Sequence, residues 1–140
     1  METILVATDF SARSDRALLR ASLIARKTGA SLVLAHAVDA DQPDRLIEAD
    51  RAAASDLLAE AAATLRNDDG IDADWLVTIA DVHEGVLAAA DEASADLIVI
   101  GPHRSRLKDV FVGTTAERLV RRRSRGCGCR PGWSANIGPW

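Results

Sequence analysis

Residues suited to holding a phosphate are concentrated between Gly101 and Arg123. Gly101 follows the apolar run Asp96-Leu-Ile-Val-Ile100, and Gly113 precedes Thr114-Thr-Ala-Glu117. A glycine at a strand end lets backbone or ligand approach where a Cβ would otherwise stand. Thr114 and Glu117 have the spacing of a capping box, in which the Thr114 hydroxyl accepts from the Glu117 amide and the carboxylate reaches back. A helix start beside glycine offers free N–H groups and a positive dipole end, and both suit an anion. The same residues also describe a plain strand–loop–helix crossover with an ordinary cap. Within the loop, His103 and Arg104 are candidates to lie near phosphates. Asp9, just past the first apolar run, is a candidate to cap a helix, bind a ribose or hold a metal.

Charge is placed unevenly along the 140 residues. Eight Lys/Arg fall between Pro102 and Arg125 (Arg104, Arg106, Lys108, Arg118, Arg121, Arg122, Arg123, Arg125), against Asp109 and Glu117. Taken from totals of 17 basic and 21 acidic residues, this leaves nine bases against 19 acids elsewhere. An acidic body with a basic segment beside an anion site fits a polyphosphate better than a nucleic-acid groove. A solvated basic helix face accounts for Arg118 to Arg125 equally well. Cys127 and Cys129, one residue apart, are too close for an easy disulfide, and His36, His83 and His103 are scattered, so no metal site is expected. No apolar run approaches the ~20 residues that span a bilayer. With Met1 leading straight into a strand and no leader pattern, a cytoplasmic address is expected.

These residues need a scaffold, and the periodicity supplies one. Thr3-Ile-Leu-Val-Ala7 reads as a buried strand, with Ser11 capping a helix to about Lys27 and Gly29 closing it. Ser31 to Val38 reads as a second strand, and Pro43 opens a long helix over about Asp44 to Arg66. Leu46, Ala53, Leu57, Ala61 and Leu65 mark the expected apolar face of that helix. Asp74 to Ile79 is a third strand, and Asp81 is placed to cap a helix through about Ser94 carrying Val86, Ala89, Ala90 and Ala93. Asp96 to Ile100 is the fourth strand, and Thr114 opens the fourth helix. Strict β-α alternation implies right-handed crossovers and an open parallel sheet covered on both faces. Ligands of such sheets bind outside the carboxyl ends of the strands, near the point where strand order reverses. Asp9 and Gly101 both fall on that rim. His36 is expected to pack at a strand end, His83 to lie on an exposed helix face, and Trp75 to be partly buried.

Ile4-Leu-Val-Ala-Thr-Asp-Phe-Ser11, Leu34-Ala-His-Ala-Val38, Ala95 to Gly101 and Phe111-Val-Gly-Thr-Thr-Ala-Glu-Arg118 occur in the order that resembles the universal stress protein family. The resemblance covers about residues 1–123 and implies a three-layer α/β/α fold of the adenine nucleotide alpha hydrolase type. The family's ATP-binding branch carries G-x2-G-x9-G-[S/T]. Gly101 is similar to its first glycine, and Gly113 with Thr114 to its last pair. By this resemblance Ala7, Thr8 and Asp9 would lie by the ribose or adenine, and the backbone at Ala37 along the adenine. Gly113, Thr114 and Thr115 would hold phosphate oxygens, with His103 and Arg104 beside them. Arg104 stands where the middle glycine belongs, and 11 residues separate Gly101 from Gly113 where the pattern has 12. The family's fifth strand, which often pairs with its copy in a homodimer, is replaced by a Gly/Cys/Trp-rich sequence at 126–140. A four-stranded sheet with an exposed edge is therefore expected, and the tail reads as irregular, disordered or the product of a shifted reading frame.

The function that these features imply is a cytoplasmic stress-response regulator that binds ATP, with or without Mg²⁺, as a signal. The alternatives are a family member that acts only through an unknown protein partner, and a weak ATPase. There is no Walker lysine motif, so at most slow hydrolysis is expected. Neither a membrane nor a nucleic acid is expected as a partner.

Overall fold

The protein, in a computed structural model, is described over residues 2–101. Among these residues four apolar runs form strands: β1 (Thr3–Ala7), β2 (Ser31–Val38), β3 (Ala73–Ile79) and β4 (Leu97–Ile100). Between them lie α1 (Ala12–Thr28), α2 (Asp44–Asp68) and α3 (Val82–Glu92). The strands make one parallel sheet in the order β3-β2-β1-β4. The fourth helix expected after Gly113, the basic segment and the tail at 126–140 lie outside the described residues, and with them the question of a fifth strand.

Handedness distributes the helices. The crossovers through α1 and α2 step the same way across the sheet, so both helices cover one face; the return through α3 covers the other. Ile4, Val6, Leu32 and Leu34 accordingly pack with Ala17, Ala21, Leu58 and Ala62. Leu5, Ala7 and Ala35 pack with Val86, Ala89 and Ala90 on the opposite side. β1 runs between these two layers, and Ile4, Leu5 and Val6 have no exposed surface. The many buried alanines let helices lie close to the sheet, so a small number of large side chains fills the core.

Local signals end α1 as its sequence suggests. Ser11 is the N-cap, its hydroxyl accepting from the Ser14 N–H, and Gly29 takes a left-handed φ of 75° and donates to the Ala25 carbonyl. α2 requires a correction. Its buried residues are Ala54, Leu58, Ala62 and Leu65, while Leu46 and Leu57 are exposed. The helix is rotated by about one residue, ~100°, from the face expected at Leu46, Ala53, Leu57 and Ala61. Asp81 is also corrected: it occupies the N-cap position of α3 but makes no side-chain cap bond, and its carboxylate pairs with the ring of His83. His83 is half-buried rather than exposed.

Candidate functional site

The strand register assembles the rim. β1 and β4 are neighbours with Ala7 opposite Ile100, so Asp9 and Gly101 emerge beside each other from adjacent strand ends. β1 is also the place where strand order reverses, with β2 on one side and β4 on the other. That is the crevice position at which open parallel sheets take ligands.

Asp9 is held in place by the first turn of α1. Its Oδ1 accepts from the Ser11 N–H at 3.0 Å and from the Ser14 hydroxyl at 2.6 Å. The Ser14 oxygen in turn accepts from the Asp9 N–H at 3.1 Å. Ser14, buried beneath the rim, escaped notice in the sequence because a serine inside a helix carries no signal of its own. Partial burial pushes the Asp9 pKa up, but the hydroxyls of Ser11 and Ser14 and the Ser11 and Asp9 amides outweigh it, and the value falls to about 2. Asp9 is therefore a carboxylate at all ordinary pH values, an acceptor of hydrogen bonds and a feeble base.

Thr8 marks where β1 parts from β2. The last ladder bond runs from the Thr8 N–H to the Ala35 carbonyl at 2.9 Å, and the register ends at Ala7 opposite Ala35. One more step would have the Thr8 carbonyl accept from the Ala37 N–H. Instead that carbonyl accepts from His36 Nδ1 at 2.8 Å. Phe10 follows in the left-handed region with φ 63°, a strained state for a residue with a Cβ. Its ring lies tilted against His36, with centroids 4.7 Å apart, and remains 39% exposed on the rim. Because N–H and C=O alternate sides along a strand, those of Ala37 point as those of Ala35 do, toward β1, beyond its last ladder bond.

Two glycines shape the same region. A Cβ on Gly85 of α3 would stand 2.6 Å from Thr78 Oγ1 and 2.7 Å from the Ala37 Cβ, so α3 rests directly on the ends of β2 and β3. A Cβ on Gly101 would stand 2.8 Å from the Arg13 carbonyl oxygen. The space above Gly101 is thus taken by the first turn of α1, and the close approach its lack of a side chain allows is to backbone.

The sheet brings Ala7, Thr8, Asp9, Ala37 and Gly101 together on one rim. His103, Arg104, Gly113, Thr114 and Thr115 lie outside the described residues. Among the described residues no group of three His, Cys, Asp or Glu could hold a metal ion. No described helix is long and apolar enough to cross a membrane.

A parallel sheet in the order β3-β2-β1-β4, with helices on both faces and a carboxylate on the rim where strand order reverses, defines an open three-layer α/β fold. Within that class, residues 1–124 match the universal stress protein family, and the chain belongs to it. It is similar to the crystal structure of a protein from that family from Burkholderia pseudomallei, with 32% identity, a TM-score of 0.71, and 89% of this chain and 90% of that one covered. A universal stress protein solved in complex with cAMP shares 26% identity at a TM-score of 0.70, over 86% of this chain and 90% of that one. The universal stress protein UspA from Lactobacillus plantarum, 22% identical at a TM-score of 0.71 over 86% and 90% of the two chains, shares the fold. No curated protein sequence matched the chain.

Proposed function

We propose that this protein is a cytoplasmic stress-response regulator that binds an adenine nucleotide on the strand-end rim as a signal, with little or no turnover. The observation that carries this reading is the register of Ala7 with Ile100, from which Asp9 and Gly101 emerge side by side at the reversal point. Asp9 is ionised and acceptor-only, and a carboxylate has about four acceptor positions, so it retains capacity for ribose hydroxyls or an exocyclic amine. The N–H and C=O of Ala37 point toward β1 beyond its last ladder bond, and they are the proposed contacts for the edge of a base. Gly113, Thr114 and Thr115, with His103 and Arg104, are the proposed phosphate contacts.

ATP is the nucleotide suggested by the glycine pattern, and cAMP is suggested by the complex formed by a relative. Arg104 and the shortened loop bear on the phosphate end, where these two ligands differ most. Turnover is disfavoured by Asp9 itself: a carboxylate with a pKa of about 2 is a poor base for activating water near neutral pH. A role for Mg²⁺ would then be to accompany the phosphates.

Thermal unfolding of the full chain with and without millimolar MgATP or cAMP tests the reading. Binding to the native state alone raises the midpoint, and the rise grows with the logarithm of the ratio of free ligand to Kd. A rise of several degrees that shrinks in Asp9→Asn protein supports a nucleotide switch. No shift with either ligand in a cooperatively unfolding sample favours action through a protein partner alone.

A further inference from the structure

We propose that His36 is a positioning residue that holds the β1–β2 ladder open by one bond, so that the Ala37 N–H is kept for an acceptor on the bound base. The inference rests on the adenine-nucleotide reading of the rim. Its grounds are three contacts that converge on one turn.

The first is the diverted carbonyl. Parallel pairing would continue from Thr8 N–H to Ala35 with a bond from Ala37 N–H to Thr8, yet among the described residues no such bond forms, and His36 Nδ1 donates to that carbonyl at 2.8 Å. Facing a carbonyl oxygen, Nδ1 must carry the proton, which fixes the ring's orientation. The second is the ring of Phe10, tilted against the imidazole with centroids 4.7 Å apart, which limits its freedom to swing away. The third is the turn itself. Phe10 adopts φ 63°, and its N–H donates to Thr8 Oγ1 at 3.0 Å, so the chain leaves the sheet immediately after Thr8. Together they leave the Ala37 N–H on the rim, in the plane of the sheet, with its strand partner withdrawn. A purine ring nitrogen is an acceptor of the kind this group requires, and it would complete the ladder in place of Thr8.

Without the imidazole donor, the nearest donor to the Thr8 carbonyl along the ladder is the Ala37 N–H. His36→Leu is therefore expected to close the ladder by one bond and remove the ligand's donor. His36→Asn keeps a side-chain N–H at about the reach of Nδ1 and is expected to rescue both properties. A purely structural role for His36 would lower stability in both variants without protecting the Ala37 amide.

Amide hydrogen exchange at Ala37, read by NMR on the full chain, is the test, paired with affinity for MgATP and cAMP. In the wild type, the Ala37 amide is expected to exchange much faster than that of Ala35 and to slow when either nucleotide binds. In His36→Leu it should already be slow without ligand, with affinity reduced about tenfold, the loss of one hydrogen bond. His36→Asn should behave as the wild type. A ligand-free wild-type Ala37 amide as slow as Ala35 overturns the proposal, even if His36→Leu does not fold. So does unchanged affinity in a folded His36→Leu. A wild type with a fast Ala37 amide and no affinity for either nucleotide refutes the functional reading instead, and the role given to His36 falls with it.

Discussion

Gly101 and Arg13 meet so closely that a Cβ on the glycine would lie 2.8 Å from the Arg13 carbonyl oxygen. The end of β4 is in this way seated on the first turn of α1, the turn that also carries the partners of Asp9. The obstructing atom belongs to backbone, so it cannot rotate out of the way. Gly101→Ala is expected to cost about 1–3 kcal/mol, as overpacking does. Urea unfolding checks this; an unchanged midpoint would mean that β4 and α1 are not in such contact.

Gly85 presents a similar closeness with a different remedy. Its nearest neighbours, Thr78 Oγ1 at 2.6 Å and the Ala37 Cβ at 2.7 Å, are side-chain atoms. Gly85→Ala should destabilise by about 1–3 kcal/mol, and should cost less in a Thr78→Ala background. A double-mutant cycle measures the coupling, and strict additivity would show that the helix does not press on Thr78.

The phase of α2 gives a sharp contrast between adjacent leucines. Leu58 is 1% exposed and Leu57 is 48% exposed. Leu58→Ala is expected to cost about 2–5 kcal/mol, and Leu57→Ala no more than about 0.5 kcal/mol. Chemical denaturation of the two variants settles the rotation of the helix, and a reversed order would restore the face expected from the sequence.

Acid should expose the role of the Asp9 hydrogen bonds. Its folded pKa of about 2 lies below the ordinary value of 3.8. Its contribution to stability is thus complete above about pH 4, where both states are ionised, and is lost as pH falls through about 2. Between those values the unfolded state binds more protons, so stability falls with acidification. Asp9→Asn, which keeps an acceptor but does not titrate, should show a shallower loss across this window. Equal slopes for the two proteins in pH-dependent unfolding would contradict the assignment.

The strands were legible because continuous apolar, β-branched runs admit few other readings, and Thr3–Ala7 and Ser31–Val38 formed with the expected bounds. The cap at Ser11 and the stop at Gly29 were legible for the same local reason. The face of α2 was not. Alanines at 52, 53 and 54 and again at 61, 62 and 63 surround the helix with apolar positions, and Leu57 and Leu58 compete for the same place, so packing chose the phase. At Asp81, a neighbouring imidazole won the carboxylate from the helix cap. On the rim, the strand-end position of Asp9 followed from alternation alone, but the parts played by Ser14, Phe10 and Gly85 depend on contacts between elements. His36 was expected at a strand end, and only the register shows that it takes the carbonyl at which the ladder would have continued.

The central claim is that the rim binds an adenine nucleotide. Isothermal titration of the full-length protein with MgATP and with cAMP measures this directly, with Asp9→Asn as the comparison. Saturable binding of at least one of them near one site per chain, weakened in the variant while its fold is retained, is the predicted result. Absence of heat and of saturation with both ligands at millimolar concentration, in protein shown to be folded, would contradict it.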